Sequence, residues 1–240
     1  MKVYLNSITG FDDAIVSMYM SKRSWTREKE LYIRDIVSNA TYRDGTPCPT
    51  SNVYTDKFHE DLNKVIKWGT KHFTMLRFID FSVTVEGLHR GGQDDWDSHS
   101  QRFNNRIIRS STRLATFEDG EMSDWYKGKI LPTDTALAIL GLEVPEKLVH
   151  EGIAYVKSVN GYIREDMKDN KDVKRGLYML SIPSNFIFKV NLTELAHCIK
   201  ERDKNGNANP EVKLFVEDLL KQIEEKYSVI NRELFYKISN

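Results

Sequence analysis

Ile79-Asp80-Phe81-Ser82-Val83-Thr84-Val85-Glu86 alternates apolar and polar residues without a break. Successive side chains of a strand point to opposite faces, so the run predicts a strand with Ile79, Phe81, Val83 and Val85 on a buried side. Upstream the period changes. Phe58, Leu62, Val65 and Ile66 recur at helical spacing as far as Trp68-Gly69, which predicts a helix that the glycine stops. Phe11 to Met20, opened by Asp12-Asp13, reads as a short helix, and Thr26 to Ser38 as a second one capped by Thr26. Between them and the third helix, Tyr42 to Thr55 carries Gly45, Pro47 and Pro49 and reads as a loop.

Downstream of the alternating run, Gly87 to Asp97 holds Gly91-Gly92 and the acids Asp94, Asp95 and Asp97, a mobile polar loop by composition. Ser98 is placed to cap a helix that turns Phe103 and Ile107 inward. Ala154 to Asp169 and Asp172 to Leu180 read as helical, and Asn185 to Val190 as a strand ending at Asn191. Val212, Phe215, Val216, Leu219, Leu220 and Ile223 form a clear amphipathic stripe. There is no repeat, low-complexity tract or long linker. The expectation is a single α+β domain over residues 1–240, with helices flanking a mostly antiparallel sheet.

Charge narrows the function. Thirty-five Lys and Arg residues balance 35 Asp and Glu, so the chain lacks the global basic field of non-specific nucleic-acid binders, and any anion site must be local. No stretch approaches the roughly 18 unbroken apolar residues of a membrane span, and the start lacks a signal core, which predicts a cytoplasmic protein without membrane association. Cys48 and Cys198 lie far apart with no CxxC pattern; both are expected to be free thiols. His89 and His99 flank the acidic stretch, but their spacing suits no metal well, and none is expected.

Arg102, Arg106, Arg109 and Arg113 are spaced four, three and four apart. On the helix expected after Ser98 they share one face, with Ser110, Ser111 and Thr112 adding hydroxyl donors. Guanidinium forks match phosphate oxygens, which makes the face a candidate nucleotide-phosphate site. Two other readings of the same residues stay open. One is a solvated face neutralised by Asp94, Asp95, Asp97, Glu118 and Asp119; the other is a nucleic-acid contact with Trp96, Phe103 and Phe117 as stacking rings.

The chain resembles the flavin-dependent thymidylate synthases, whose signature runs R-H-R, then S, N-E and S-x-R. The matching stretch is Asn104-Asn105-Arg106-Ile107-Ile108-Arg109-Ser110-Ser111-Thr112-Arg113. His72-Phe73-Thr74 resembles the family's H-x-T/S element. Arg175, the run Leu180 to Asn191, His197 and Arg202 follow the family's order without a gap, and Ala208-Asn209-Pro210-Glu211-Val212 then opens the final long helix. The departures are Asn104 and Asn105 in place of Arg and His, a missing N-E pair, and an insertion of about nine residues within Gly87 to Ser100.

The resemblance implies a cofactor, FAD, contacted by Ser21, His72, Thr74, Asn104, Asn105, Arg106, Asn191 and His197. It implies a pyrimidine deoxynucleotide held by Gln101, Arg106, Ser111, Arg113, Arg175 and Arg202, with Ser111, Arg113 and Arg202 at the reacting ring and Ser111 not a covalent nucleophile. Methylenetetrahydrofolate would supply the one-carbon unit and NADPH the reducing power, in a homotetramer whose sites lie at subunit interfaces. The implied reaction is conversion of dUMP to dTMP. The same chemistry on dCMP, with a methyl or hydroxymethyl product, and a catalytically silent nucleotide-binding protein are the alternatives that Asn104 and Asn105 raise. Each residue also has an ordinary reading: His72 as a turn histidine, His197 as a half-buried helix residue, Arg175 and Arg202 as surface partners of Asp172 and Asp203. For the insertion, a lid over the site and a plain solvent loop are the two expectations.

Overall fold

The alternating run forms strand β2 (Asp80–His89), with Phe81, Val83 and Val85 fully buried. The computed structural model of the chain describes residues 1–98, 106–111, 122–129, 131, 133–158, 160–170, 173, 177–203, 205 and 208–238. Ahead of β2 come β1 (Lys2–Thr9), α1 (Phe11–Ser21), α2 (Arg27–Ala40), α3 (Val53–Gly69) and a 3-10 helix (Phe73–Phe78). After it come α4 (Arg90–Asp97), β3 (Arg106–Arg109), α5 (Thr133–Ile139), β4 (Lys147–His150), β5 (Ile153–Ser158), β6 (Gly161–Arg164) and β7 (Pro183–Asn191). Three further helices follow: α6 (Leu192–Arg202), α7 (Pro210–Lys226) and α8 (Arg232–Ile238). The strands make a four-stranded sheet in the order β1-β2-β7-β3 and a three-stranded sheet in the order β4-β5-β6. Leu192 N–H donates to Ile79 O at 2.8 Å and Gly87 N–H to Asn185 Oδ1 at 2.9 Å, so β2 and β7 run in opposite directions. The α+β class expected from periodicity is the class observed.

Contacts gather the chain into two units, the first made of Lys2–Val85, Asp95–Ile108 and Ile187–Asn240. Its core joins Phe11, Phe58, Leu62, Phe81, Phe215 and Leu219, all fully or almost fully buried. The helix ends follow local chemistry. Thr26 accepts from Lys29 N–H, and Asn52 with Thr55 forms a capping box at α3. Gly10 opens α1 at φ 85°, where a Cβ would stand 1.9 Å from Phe78 O, so no other residue fits. The stripe Val212, Phe215, Val216, Leu219, Leu220 and Ile223 is the buried face of α7. Gln222, on the same helix, accepts from Leu5 N–H at 2.9 Å and donates to Val3 O at 3.0 Å, which fastens β1 to it.

The second unit comprises Met1, Glu86–Asp94 and Arg109–Phe186. Four readings between Gly87 and Leu180 are corrected. Gly87 to Asp97 is not a polar loop: β2 continues to His89 and α4 follows, with His89, Gln93 and Trp96 buried. Those residues are four and three apart, a helical spacing that the glycines and acids between them hide. Ser98 closes α4, its hydroxyl donating back to Asp95 O at 2.9 Å, and residues 99–105, which it was expected to cap, lie outside the described residues. Arg106 to Arg109 is a strand, because β-branched Ile107 and Ile108 favour extended chain and β7 offers a partner edge. Ala154 to Asp169 is not helical but largely a meander, in which Val149 pairs with Ala154 and Val156 with Ile163. Its first turn puts Glu151 and Gly152 at φ 51° and 76°, and Asn160 has φ 56°, the left-handed geometry that suits tight hairpins. Of Asp172 to Leu180, Val173 is helical as expected, residues 177–180 are turn and irregular chain rather than helix, and 172 and 174–176 lie outside the described residues.

Candidate functional site

At the start of β2, Asp80 collects two cations. Arg106 of β3 donates to it through both terminal nitrogens, the shorter contact being 2.9 Å, and Lys189 Nζ of β7 lies 3.4 Å away. Beyond β7 the chain turns directly into α6, with Asn191 as its cap: Asn191 Oδ1 accepts from the backbone N–H groups of Thr193 and Glu194, each at 3.1 Å. The cap satisfies two donors that the first turn of a helix otherwise leaves open. Thr193 and Glu194 line a cavity of about 310 Å³ together with Phe73, Thr74 and Arg77. Thr74, from the 3-10 helix, is thus brought beside the segment that Asn191 holds.

His72 stands at the head of that 3-10 helix, exposed, with its ring 5.7 Å from Trp68 and inclined to it by 31°. Lys67, Trp68, Lys71 and His72 line a second cavity of about 310 Å³. Lys22 Nζ lies 4.0 Å from the centre of the Trp68 ring, a cation–π contact. Ser21, exposed at the end of α1, precedes that lysine. The result is a patch of flat rings among cations, with Ser21 at its margin.

Arg202 occupies the other end of α6. Eleven residues of helix rise about 16 Å, so Asn191 and Arg202 lie a helix length apart. Arg202 is buried, and Asp95 takes hold of it twice: Nη2 reaches Oδ1 at 2.9 Å and Nε donates to the Asp95 carbonyl at 3.2 Å. Ser98 Oγ accepts a third bond at 3.3 Å. The expected partner Asp203 is instead fully buried against Arg232 and Tyr236, which corrects the surface-pair reading of Arg202. His197, midway along α6, is half-buried. Its neighbour Cys198 is buried, which pushes the pKa of its thiol up to about 12. Ser111 is exposed in the second unit, where Arg109 pairs with Asp94 at 2.5 Å.

No protein-family model matches the chain, and no curated protein matches it. Solved structures do. Flavin-dependent thymidylate synthase ThyX from Helicobacter pylori, complexed with FAD and dUMP, matches over 100% of both chains with a TM-score of 0.55 and 14% identity. The fold is that of the flavin-dependent thymidylate synthases. A second structure of the H. pylori enzyme with FAD and dUMP gives a TM-score of 0.56 at 14% identity over 100% of this chain and 99% of that one. The UMP/dUMP methylase PolB from Streptomyces cacaoi, bound with 5-Br dUMP, gives 0.55 at 11% identity over 98% and 93%. At these identities the likeness is one of fold.

On this flavin-dependent thymidylate synthase fold the expected residues divide into three groups. Arg106 lies on the strand at the sheet edge beside β7, which ends in the cap Asn191; Thr74 lines a cavity with Thr193 and Glu194, and Ser21 lies on the side of His72 and Trp68. Arg202 stands apart on its own carboxylate, so the expected single face of arginines is not what the described residues form. Gln101, Asn104, Asn105, Arg113 and Arg175 lie outside the described residues. Sequence reading missed Asp80 and Lys189, and assigned Asp95 to the arginines of the 102–113 stretch rather than to Arg202; these pairings depend on distant parts of the chain. It also missed Trp68, although its position four residues before His72 was a usable signal.

Proposed function

We propose that the chain is a flavin-dependent enzyme that transfers a one-carbon unit from methylenetetrahydrofolate to carbon 5 of a pyrimidine deoxynucleotide, with dUMP the first substrate and dTMP the product. The observation that carries the reading is the likeness of fold over the whole chain to enzymes crystallised with FAD and dUMP. We treat the full 240 residues as one domain for the same reason.

The surface fits FAD in chemistry. A dinucleotide with a diphosphate and two flat ring systems calls for cations and ring faces within reach. Lys22, Lys67, Lys71, Trp68 and His72 supply both, and Ser21, Thr74 and Arg106 are exposed beside the elements concerned. FAD, reduced by NADPH, would contribute the hydride that completes a methyl group. Asn191 and His197, one at each side of the first turns of α6, together with Asn104 and Asn105, complete the proposed cofactor contacts. The nucleotide falls to Gln101, Arg106, Ser111, Arg113, Arg175 and Arg202. Their guanidinium groups would bind phosphate and stabilise negative charge that develops on the pyrimidine as carbon 5 becomes nucleophilic. In this reading Ser111 orients the nucleotide by hydrogen bonding, and buried Cys198 stays protonated and takes no part. Chains of this fold would join as a homotetramer, with sites assembled from several subunits, in the cytoplasm where nucleotide and reduced folate are available. Among the described residues no helix is long and apolar enough to cross a membrane.

A second reading keeps the chemistry and changes the pyrimidine. The likeness to a UMP/dUMP methylase favours testing the ribonucleotide, and the amides of Asn104 and Asn105, able to donate or accept, favour testing dCMP. The absorption spectrum of the purified protein comes first, followed by incubation with FAD, NADPH, methylenetetrahydrofolate and dUMP, dCMP or UMP, with products resolved by mass spectrometry. A flavin band and methylated dUMP are expected. Modified dCMP or UMP with unmodified dUMP overturns the first reading in favour of the second. A colourless protein that takes up no FAD overturns both, and strongly salt-dependent oligonucleotide binding in its place would return the chain to the nucleic-acid class.

A further inference from the structure

We infer that Asp95 is a positioning residue: it holds the Arg202 guanidinium by one edge and sets the direction in which the other edge meets a bound nucleotide. The inference rests on the functional reading above, which makes Arg202 a nucleotide contact, and names the residue that prepares it.

Asp95 binds Arg202 from two different atoms. Its carboxylate Oδ1 takes Nη2 at 2.9 Å, and its main-chain oxygen takes Nε at 3.2 Å. Both contacts fall on the Nε–Nη2 edge of the planar group, which defines its plane and leaves the Nη1 edge facing away from Asp95. An arginine side chain has several rotatable bonds and loses rotamer entropy when held. Here that ordering takes place within the folded chain, before any ligand arrives.

Asp95 is itself fixed. Its second oxygen, Oδ2, accepts from Asn209 N–H at 3.3 Å, and Asn209 caps α7 through Glu211 N–H. Its neighbour Trp96 is buried at 2% exposure, against Phe188 at 5.4 Å and Phe215 at 4.8 Å between ring centres. Ser98 adds a hydroxyl to Nη2 and donates its own proton to the Asp95 carbonyl. The carboxylate therefore stands between the ends of α4 and α6 and the start of α7 with little freedom to follow a moving arginine. A carboxylate also suits the burial. Arg202 keeps 9% of its side-chain exposure, and a guanidinium that far out of water is stable only with a countercharge. The acidic stretch that reads as a solvent loop thus supplies the support for a site arginine from the residue next to a core tryptophan.

The test is dUMP affinity, measured by equilibrium dialysis on the full-length, FAD-loaded protein and on its variants, with folding checked by far-ultraviolet circular dichroism. Asp95→Ala removes a charge-assisted hydrogen bond and is expected to weaken dUMP about 10- to 100-fold. Asp95→Asn keeps an acceptor oxygen without the charge and is expected to recover half of that loss on a logarithmic scale, leaving about 3- to 10-fold. If Asp95→Ala does not fold, Asp95→Asn carries the test. FAD affinity, followed by absorbance titration, is expected to change less than about twofold in the folded variants, since Asn191 and Thr74, among the proposed flavin contacts, lie by the opposite end of α6. In an Arg202→Ala background the Asp95 substitution is expected to have no further effect on dUMP.

Unchanged dUMP affinity in Asp95→Asn and Asp95→Ala overturns the inference. So does an equal loss with and without Arg202, or a parallel loss of FAD. If the unaltered protein binds no pyrimidine nucleotide, the functional reading fails and this inference with it, an outcome separable from the others because it precedes any substitution.

Discussion

Arg106 and Arg202 are both expected nucleotide contacts, yet they are held in opposite ways. Arg106 sits on a short strand at the sheet edge, half exposed, with its guanidinium laid across Asp80 in water's reach. Arg202 ends a helix, buried against Asp95. The difference teaches what each pair is for. An exposed pair contributes about 0–1 kcal/mol and parts at little cost, so Asp80 can release Arg106 to an incoming anion. A pair removed from water resists parting, because either partner left alone is an uncompensated charge. Arg202 is thus a fixed feature of the fold, whereas Arg106 is an adjustable one.

The comparison breaks most visibly at the tryptophan that seats α4. Trp96→Ala is predicted to lower stability by about 3–5 kcal/mol in urea unfolding, the usual range for an aromatic removed from a core. A loss under about 1 kcal/mol would mean that α4 is not anchored and that Asp95 holds nothing in place. Next in size, Asp95→Ala is predicted to cost about 2–3 kcal/mol, less than the 3–5 of a fully buried pair because Asp95 keeps 28% of its side-chain exposure.

Arg106→Ala is predicted to change stability by less than about 1 kcal/mol while weakening FAD uptake about tenfold, the scale of one charge-assisted hydrogen bond. A large stability loss with normal flavin uptake would reverse the assignment of the two arginines. The smallest effect sharpens the picture of α6. Cys198 lies one turn before Arg202 on the buried face, and desolvation raises its pKa to about 12. A thiol with a raised folded-state value contributes stability that is complete below its unfolded value and is lost as pH rises toward the folded one. Between pH 6 and about 8 no slope from this group is therefore expected. Iodoacetamide is predicted to alkylate Cys48, which is partly exposed, in the folded protein, and Cys198 only after unfolding. Alkylation of Cys198 in the native state would show that this face of α6 opens readily.

Legibility in the sequence followed the range of the interaction. The cap Thr26, the end of α3 at Gly69, the strand through Phe81, Val83 and Val85 and the stripe of α7 all stand in the structure, since each depends on residues a few positions apart, although Gly69 lies inside the last turn against Leu76 and Thr70 is the cap. The middle of the chain read badly. In α4 the informative residues are Gln93 and Trp96, outnumbered by glycine and aspartate. In the β4-β5-β6 meander most residues are only half-buried, so a period-two signal had little burial to write itself into the sequence, and the turn signal at Asn160-Gly161 was the better guide.

By itself, then, the amino-acid order determined where one-sided burial requires a helix or a strand, how the helices are capped, and that no net charge is available for a broad anion surface. Tertiary structure alone decided which acid each arginine takes. Arg106 and Asp80 are 26 residues apart, and Arg202 and Asp95 are 107. Periodicity reports which side of an element is dry, while an ion pair at those separations depends on how strands and helices are ordered in space, which no local pattern encodes.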